Sequence, residues 1–253
     1  MDYTLEAACM CDKGALRGNN EDNFCFNGCC MKNGEQGLAV PLELKANTEK
    51  PSILAVFDGV GGEAFGEEAS LAAAKTICAM CEELSPFTEI DSGAILKMIN
   101  DANAAVVQRA RDLQVRHMGC TVAMLCVTSA RIYVCNVGDS RIYRLRDGCL
   151  ERLSEDDADI SPFSRGKKPS LTQCLGIYPT EMRLEPHLRE IAPEKGDRYL
   201  LCSDGLTDML PEMHIATVMD AYADTVACAA ALCGAALERG GRDNITVLIC
   251  KID

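Results

Sequence analysis

The sequence predicts an α+β fold in which antiparallel sheet carries its helices grouped on the outside. Three observations lead there. Strand-like apolar runs come in hairpin-spaced pairs, as at 120–127 and 132–137. Helical periodicity is confined to two blocks, one before and one after that pair. The regular β-α-β alternation of a parallel sheet is absent, and the order is strands, two helices, a strand meander, two helices and a last strand.

Taken in order, residues 3–8 read as a first strand, 17–22 (R-G-N-N-E-D) as a polar loop, and 23–27 as the start of a second strand. Residues 27–51 are polar and contain glycine, which predicts an extended hairpin or surface insertion. Residues 52–62, S-I-L-A-V-F-D-G-V-G-G, predict a buried strand that stops abruptly at Asp58. Helix formers fill 67–84. Residues 91–114 put Ile95, Met98, Ile99, Ala102, Val106 and Ala110 at helical spacing, an ordinary core face. After the hairpin, 141–145 continues the meander and Asp147-Gly148 marks a turn. Residues 154–170 read as a surface loop with an acidic patch (Glu155, Asp156, Asp157, Asp159) followed by a basic one (Arg165, Lys167, Lys168). A strand at 199–203, helices at 211–219 and 222–238, and a strand at 245–251 complete the pattern.

The 253 residues are read as one domain, 1–253. Hydrophobic residues make up 48%, ample for a sizeable core. Lys and Arg number 25 against 38 Asp and Glu, a net charge of −13, which argues against nucleic acid or an anionic membrane surface as the main partner. No apolar run approaches the roughly 18 residues of a membrane span, and the acidic N-terminus does not resemble a signal peptide. A cytoplasmic protein with no membrane span is expected. Its 16 cysteines are then free thiols. Many, such as Cys126, Cys135, Cys202, Cys228 and Cys250, lie inside apolar runs and read as small core residues. Cys9, Cys11, Cys29 and Cys30 would form a zinc site if their segments met, although the spacing matches no zinc template. Cys78 and Cys81 are spaced C-x-x-C inside a helical pattern, without the strand that a thioredoxin-like pair requires.

The candidate chemistry begins at Asp58. An apolar strand ends there on a carboxylate, and Gly59 lets bare backbone approach whatever that carboxylate binds. Hard divalent cations favour such ligands: carboxylates, peptide carbonyls and water. The pattern recurs. Y-L-L-C-S-D-G (199–205) ends in Asp204-Gly205, and I-Y-V-C-N-V-G-D (132–139) ends in Asp139. G-G-R-D-N-I-T-V (240–247) places Asp243 just before a strand-like run, and Asp22 closes R-G-N-N-E-D. Each aspartate alone reads equally well as a turn residue or helix cap. Carboxylates gathered from several strand ends would repel one another unless metal ions neutralised them.

Six motifs, R-G-N-N-E-D, F-D-G-V-G-G, G-C-T-V-A, V-G-D-S-R, C-S-D-G-L and G-R-D-N-I-T-V, occur in an order and at separations that resemble the metal-dependent serine/threonine protein phosphatases of the protein phosphatase 2C family, in their short bacterial form. The resemblance covers residues 3–252. It implies a four-layer α-β-β-α sandwich of two antiparallel sheets flanked by helices, and it implies two core ions, Mn2+ or Mg2+, with a weaker third. On this resemblance Asp58 bridges the core ions and the Gly59 carbonyl completes one of them, while Asp204 and Asp243 hold the other. Asp22, beside Glu21, acts through water. Asp139 joins Asp204 at the third ion, Arg17 grips the substrate phosphate, and Asn244 orients the loop of Asp243. The resemblance further implies attack of a metal-bridging water or hydroxide on phosphorus, in phosphoserine or phosphothreonine placed on proteins by a serine/threonine kinase, by a monomeric enzyme. The residue types suit that chemistry, since paired cations reverse the field a phosphate dianion meets and an arginine fork matches two phosphate oxygens.

Two departures from the family pattern stand out. Val60 replaces a histidine proposed as general acid in many eukaryotic members, and S-E-D-D (154–157) stands where the family commonly has a histidine after the aspartate, in a shortened flap. Two other classes compete with the enzyme: a binding module that kept the fold, and a redox or zinc protein built on the N-terminal cysteines. The intact set of five aspartates speaks against the first, and metal analysis separates the second.

Overall fold

The computed structural model describes residues 3–60, 65–159 and 170–253. In chain order the strands are β1 (Thr4–Asp12), β2 (Asp22–Phe26), β3 (Leu42–Asn47), β4 (Ser52–Asp58), β5 (Val122–Val127), β6 (Ile132–Val137), β7 (Arg141–Arg146), β8 (Cys149–Arg152), β9 (His187–Ile191), β10 (Arg198–Cys202) and β11 (Ile245–Ile252). The helices are α1 (Gly66–Glu83), α2 (Ser92–Asp112), α3 (Asp204–Thr207), α4 (Glu212–Ala221) and α5 (Thr225–Glu238). One sheet has the order β3-β1-β11-β10-β7-β8 and the other β2-β4-β5-β6-β9. Every ladder in both is antiparallel.

The central strands alternate between two apolar layers, which is why their sequences look continuously hydrophobic. In β4, Ile53, Ala55 and Phe57 pack toward α1 and α2, while Leu54 and Val56 face the other sheet. In β10, Tyr199 and Leu201 face the sheet interface, and Leu200 and Cys202 face the second helix group. A strand's side chains alternate by two, so a strand covered on both faces needs apolar residues at every position. Three apolar layers thus separate four layers of secondary structure, the expected α-β-β-α sandwich.

Some boundaries correct the sequence reading. The segment 27–51 is not all insertion, since β3 pairs along β1 with alternating half-burial. The helix expected at 222–238 begins at Thr225, because Asp224 caps it by accepting from Ala227 N at 2.8 Å. Asp91 caps α2 in the same way. The Asp147-Gly148 turn is observed, with φ of 50° and 73°. The cysteines at 126, 135, 202, 228 and 250 are buried as expected. Cys9 and Cys11 lie between the sheets, Cys30 lies against the α1 layer and Cys29 is exposed, so these four do not gather. No helix among the described residues is long and apolar enough to cross a membrane.

Candidate metal centre

The register of β2 on β4 sets Asp22 directly opposite Asp58. Asp22 is buried, and its Oδ2 accepts from Ser203 Oγ and Thr246 Oγ1, each at 2.7 Å. Ser203 follows β10 and Thr246 lies in β11, so this one carboxylate joins the two sheets. The Asp58 carboxyl is within hydrogen-bonding reach of it. Burial pushes Asp22 up to about 7; the hydroxyl donors oppose that shift and the charge of Asp243 adds to it. Its Oδ1 is buried with no hydrogen-bond partner.

Asp58 is held through Thr121, of the G-C-T-V-A motif. Thr121 N donates to Asp58 O at 2.8 Å, and Asp58 N donates to Thr121 Oγ1 at 3.1 Å. Thr121 Oγ1 also lies 2.6 Å from Ser140 Oγ, which ties the V-G-D-S-R turn carrying Asp139 to the end of β4. Gly59 packs so closely that a Cβ there would come within 2.6 Å of the Gly66 carbonyl and 2.7 Å of Glu21 O. That contact brings the start of α1 against the N-E-D loop.

The other half of the site comes from the second D-G pair. A Cβ on Gly205 would fall 1.9 Å from Asn244 O and 3.4 Å from Asp243 Cβ, so glycine is what lets the Asp204 and Asp243 segments close on each other. Asn244 fixes three backbones at once. Its Nδ2 donates to Lys13 O at 2.8 Å and Asn19 O at 2.9 Å, and its Oδ1 accepts from Glu21 N at 2.8 Å. Arg17 Nη2 donates to Asp243 Oδ2 at 2.6 Å, from a side chain 42% exposed.

The base of the expected surface loop is structural on its acidic side. Arg141 clasps Asp156 through Nε at 3.1 Å and Nη2 at 2.7 Å. Asp157, in the S-E-D-D stretch noted above, accepts from Gly138 N at 2.8 Å and lies 2.9 Å from His187 Nε2. A histidine from β9 therefore partners this aspartate. The basic residues Arg165, Lys167 and Lys168 lie outside the described residues, as do Gly61 and Gly62.

The structure thus draws Asp22, Asp58, Asp243 and Asp204 to one end of the sandwich, with Arg17 at the edge and Asp139 joined through Thr121 and Ser140. Sequence reasoning gave no role to Thr121, Ser203, Thr246 or Asp157, although the first three stand inside the quoted motifs. Among the described residues no three His, Cys, Asp or Glu side chains are arranged as a set that could hold a metal ion. The donors nevertheless fit a hard cation that keeps much of its water: all are oxygens, one is a buried carboxylate oxygen without a partner, and the glycine beside Asp58 leaves backbone bare.

The chain belongs to the protein phosphatase 2C family, whose model matches residues 43–234. Among its relatives, PstP of Mycobacterium tuberculosis, a serine/threonine protein phosphatase, is 30% identical over 98% of this chain. The chain spans 45% of the length of that relative. The serine/threonine phosphatase stp of Listeria innocua is 28% identical over 98% of this chain and 96% of its own. The solved catalytic domain of PstP in complex with two manganese ions superimposes with a TM-score of 0.75 at 27% identity, covering 99% of both chains.

Proposed function

We propose that this chain is a metal-dependent phosphatase that hydrolyses phosphoserine and phosphothreonine on proteins. The observation that carries the reading is the Asp22–Asp58 cross-strand pair. It sets a buried carboxylate, Asp22, opposite the half-buried Asp58, leaves one Asp22 oxygen unpartnered, and lies beside Ser203, Thr246 and the charge of Asp243. Such a place is electrostatically unfavourable until a cation occupies it.

In this reading Asp58, Asp22, Asp204, Asp243 and the Gly59 carbonyl hold two ions, Mn2+ or Mg2+, and Asp139 contributes to a weaker third. When bound, the ions supply the positive charge and water activation that hydrolysis of a phosphate dianion needs. The protein's own groups do the rest. Ser203, Thr246 and Thr121 keep the carboxylates aimed, and Asn244 locks the loops of Asp243 and Glu21 together. Arg17 offers a phosphate fork at the exposed edge, next to Asp243. With Val60 in place of histidine, the leaving alkoxide takes its proton from another donor. Residues 1–253 act as a single catalytic domain, a cytoplasmic monomer whose substrates are proteins phosphorylated by a serine/threonine kinase.

The test is hydrolysis of a phosphothreonine peptide with and without manganese. Activity that requires the metal and is abolished by chelation supports the reading. Full activity in excess EDTA would overturn it.

A further inference from the structure

Asn27 and Gly28, at φ of 50° and 98°, form a tight turn at the end of β2, closed by Phe26 N to Cys29 O at 2.7 Å and Cys29 N to Phe26 O at 3.1 Å. The turn folds Cys30 back beside β2 and against α1. There it meets three further thiols: Cys25 on β2, and Cys78 and Cys81 on the inner face of α1. Cys25 Sγ is 3.7 Å from Cys81 Sγ, and Cys30 packs against the same layer, where Cys78 and Cys25 act on it. Ranked by exposure, the four form a line from the half-exposed Cys30 to Cys78, Cys81 and Cys25, the last fully buried. No three cysteines, histidines or carboxylates among the described residues converge as metal ligands do.

The line is asymmetric. Cys30 is at the accessible end, while Cys25, Cys78 and Cys81 are buried. The neighbouring Cys78 thiol holds Cys30 below the usual thiol range, burial opposes this, and nearby Lys75 adds positive charge that favours the thiolate. The three inner thiols are shifted the other way. A half-exposed thiol biased toward its thiolate and packed beside a second thiol has the layout of an attacking and a resolving cysteine. The C-x-x-C pair of α1 thus finds its partners on β2 and its turn, not within the motif.

We propose that Cys30 and Cys78 form a peroxide-sensitive pair, Cys30 being oxidised first and Cys78 resolving it to a disulfide. The Cys30 thiolate attacks one oxygen of hydrogen peroxide. The O–O bond breaks, hydroxide leaves and takes up the proton Cys30 released, and Cys30 becomes a sulfenic acid. Cys78 then gives up its proton and attacks the Cys30 sulfur. The S–S bond forms, the S–O bond breaks, and a second water leaves. Two thiols have supplied two electrons to one peroxide. The product staples the β2 turn to α1, and the pair is independent of whether the chain acts as a phosphatase.

The experiment treats the full reduced chain with hydrogen peroxide and maps its peptides without reductant. A Cys30–Cys78 cross-link that dithiothreitol reverses is expected. Cys30→Ser should lose it entirely, and Cys78→Ser should leave Cys30 as a sulfenic acid that dimedone traps. A measurement on the unaltered chain stands beside these variants: brief iodoacetamide treatment near pH 7 should alkylate Cys30 before the exposed Cys29 and Cys149. The proposal is overturned by a Cys25–Cys81 or Cys29–Cys30 link in place of the expected one. Unchanged oxidation of Cys78 in Cys30→Ser, or earlier alkylation of Cys29 or Cys149, overturns it equally.

Discussion

The carboxylates of the site are anchored in two ways. Asp22 and Asp58 face each other across paired strands, and Asp22 is fixed by hydroxyls from the opposite sheet. Asp139 sits in the turn between β6 and β7, where Gly138 exchanges two hydrogen bonds with Asp157 and Ser140 Oγ lies 2.6 Å from Thr121 Oγ1. The first arrangement cannot relax: separating the two charges means breaking β ladders or the sheet interface. The second can shift at the cost of a turn. Repulsion stored in a rigid frame is relieved by a cation, whereas in a turn it is relieved by movement. Asp22 and Asp58, together with Asp204 and Asp243 closed on each other where Gly205 meets Asn244, should therefore govern whether metal binds, and the turn-borne Asp139 should govern how fast the loaded protein turns over.

The largest effects test that division directly. Asp58→Asn, Asp204→Asn and Asp243→Asn should each remove nearly all turnover of a phosphothreonine peptide and lower the metal content of the purified protein. Asp139→Asn should keep two ions by metal analysis, with a lower kcat and a higher manganese requirement. Complete loss of both ions in Asp139→Asn would erase the distinction.

Gly59→Ala probes the rigid frame without touching a charge. Its methyl would have to enter space 2.6 Å from the Gly66 carbonyl. Overpacking of this kind costs about 1–3 kcal/mol, so a lower Tm with reduced metal affinity is expected, read by thermal denaturation with and without manganese. Unchanged melting and metal affinity would show that the α1 start yields easily.

Arg17→Ala comes next. A charge-assisted bond to the substrate phosphate is worth about 1.5–3 kcal/mol, or roughly 10- to 150-fold in kcat/KM, and KM should carry most of it. Because Arg17 holds Asp243 at 2.6 Å, its removal also leaves that carboxylate freer for a cation. Manganese affinity should hold or rise as kcat/KM falls. A parallel fall in both would make Arg17 a support of the metal site and not a phosphate ligand.

The smallest change belongs to the turn. His187→Gln can keep a hydrogen bond to Asp157, so kcat should stay within about threefold. Asp157→Ala leaves Gly138 N without its acceptor, a loss of about 1 kcal/mol, and should lower kcat more than the histidine variant. Peptide kinetics at saturating manganese rank the two, and the reverse order would give His187 a role of its own.

How much of this was legible depends on what each residue's neighbours demand. The central strands were plain because burial on both faces forces an unbroken apolar run, as in β4 and β10. Edge strands carry no such demand. β3 alternates and β9, H-L-R-E-I, is half charged, so both pass for loop. The four residues of α3 are too few for any period to show. The aspartates of the site were visible because a charge ends an apolar strand, while the hydroxyls that hold them were not, since Thr121, Ser203 and Thr246 look like ordinary strand-end residues. Asp156 and Asp157 read as a solvated patch because their partners, Arg141 and His187, come from β7 and β9. Nothing local announces a contact of that range.

The last strand occupies an inner position of its sheet. β11 lies between β1 and β10, supplies Thr246 to Asp22, and follows directly on Asp243 and Asn244. Arg17 and Asp243 stand 226 positions apart in sequence. A growing chain thus carries Asp22 and Asp58 long before the strand that completes their surroundings is made. Long-range closure of this kind is slow to form, so the surroundings of Asp22 are complete only once β11 has docked between β1 and β10. A polypeptide halted before Asp243 would lack that strand as well as one of the clustered carboxylates, so on the proposed reading a truncated product should be catalytically silent, not partly active.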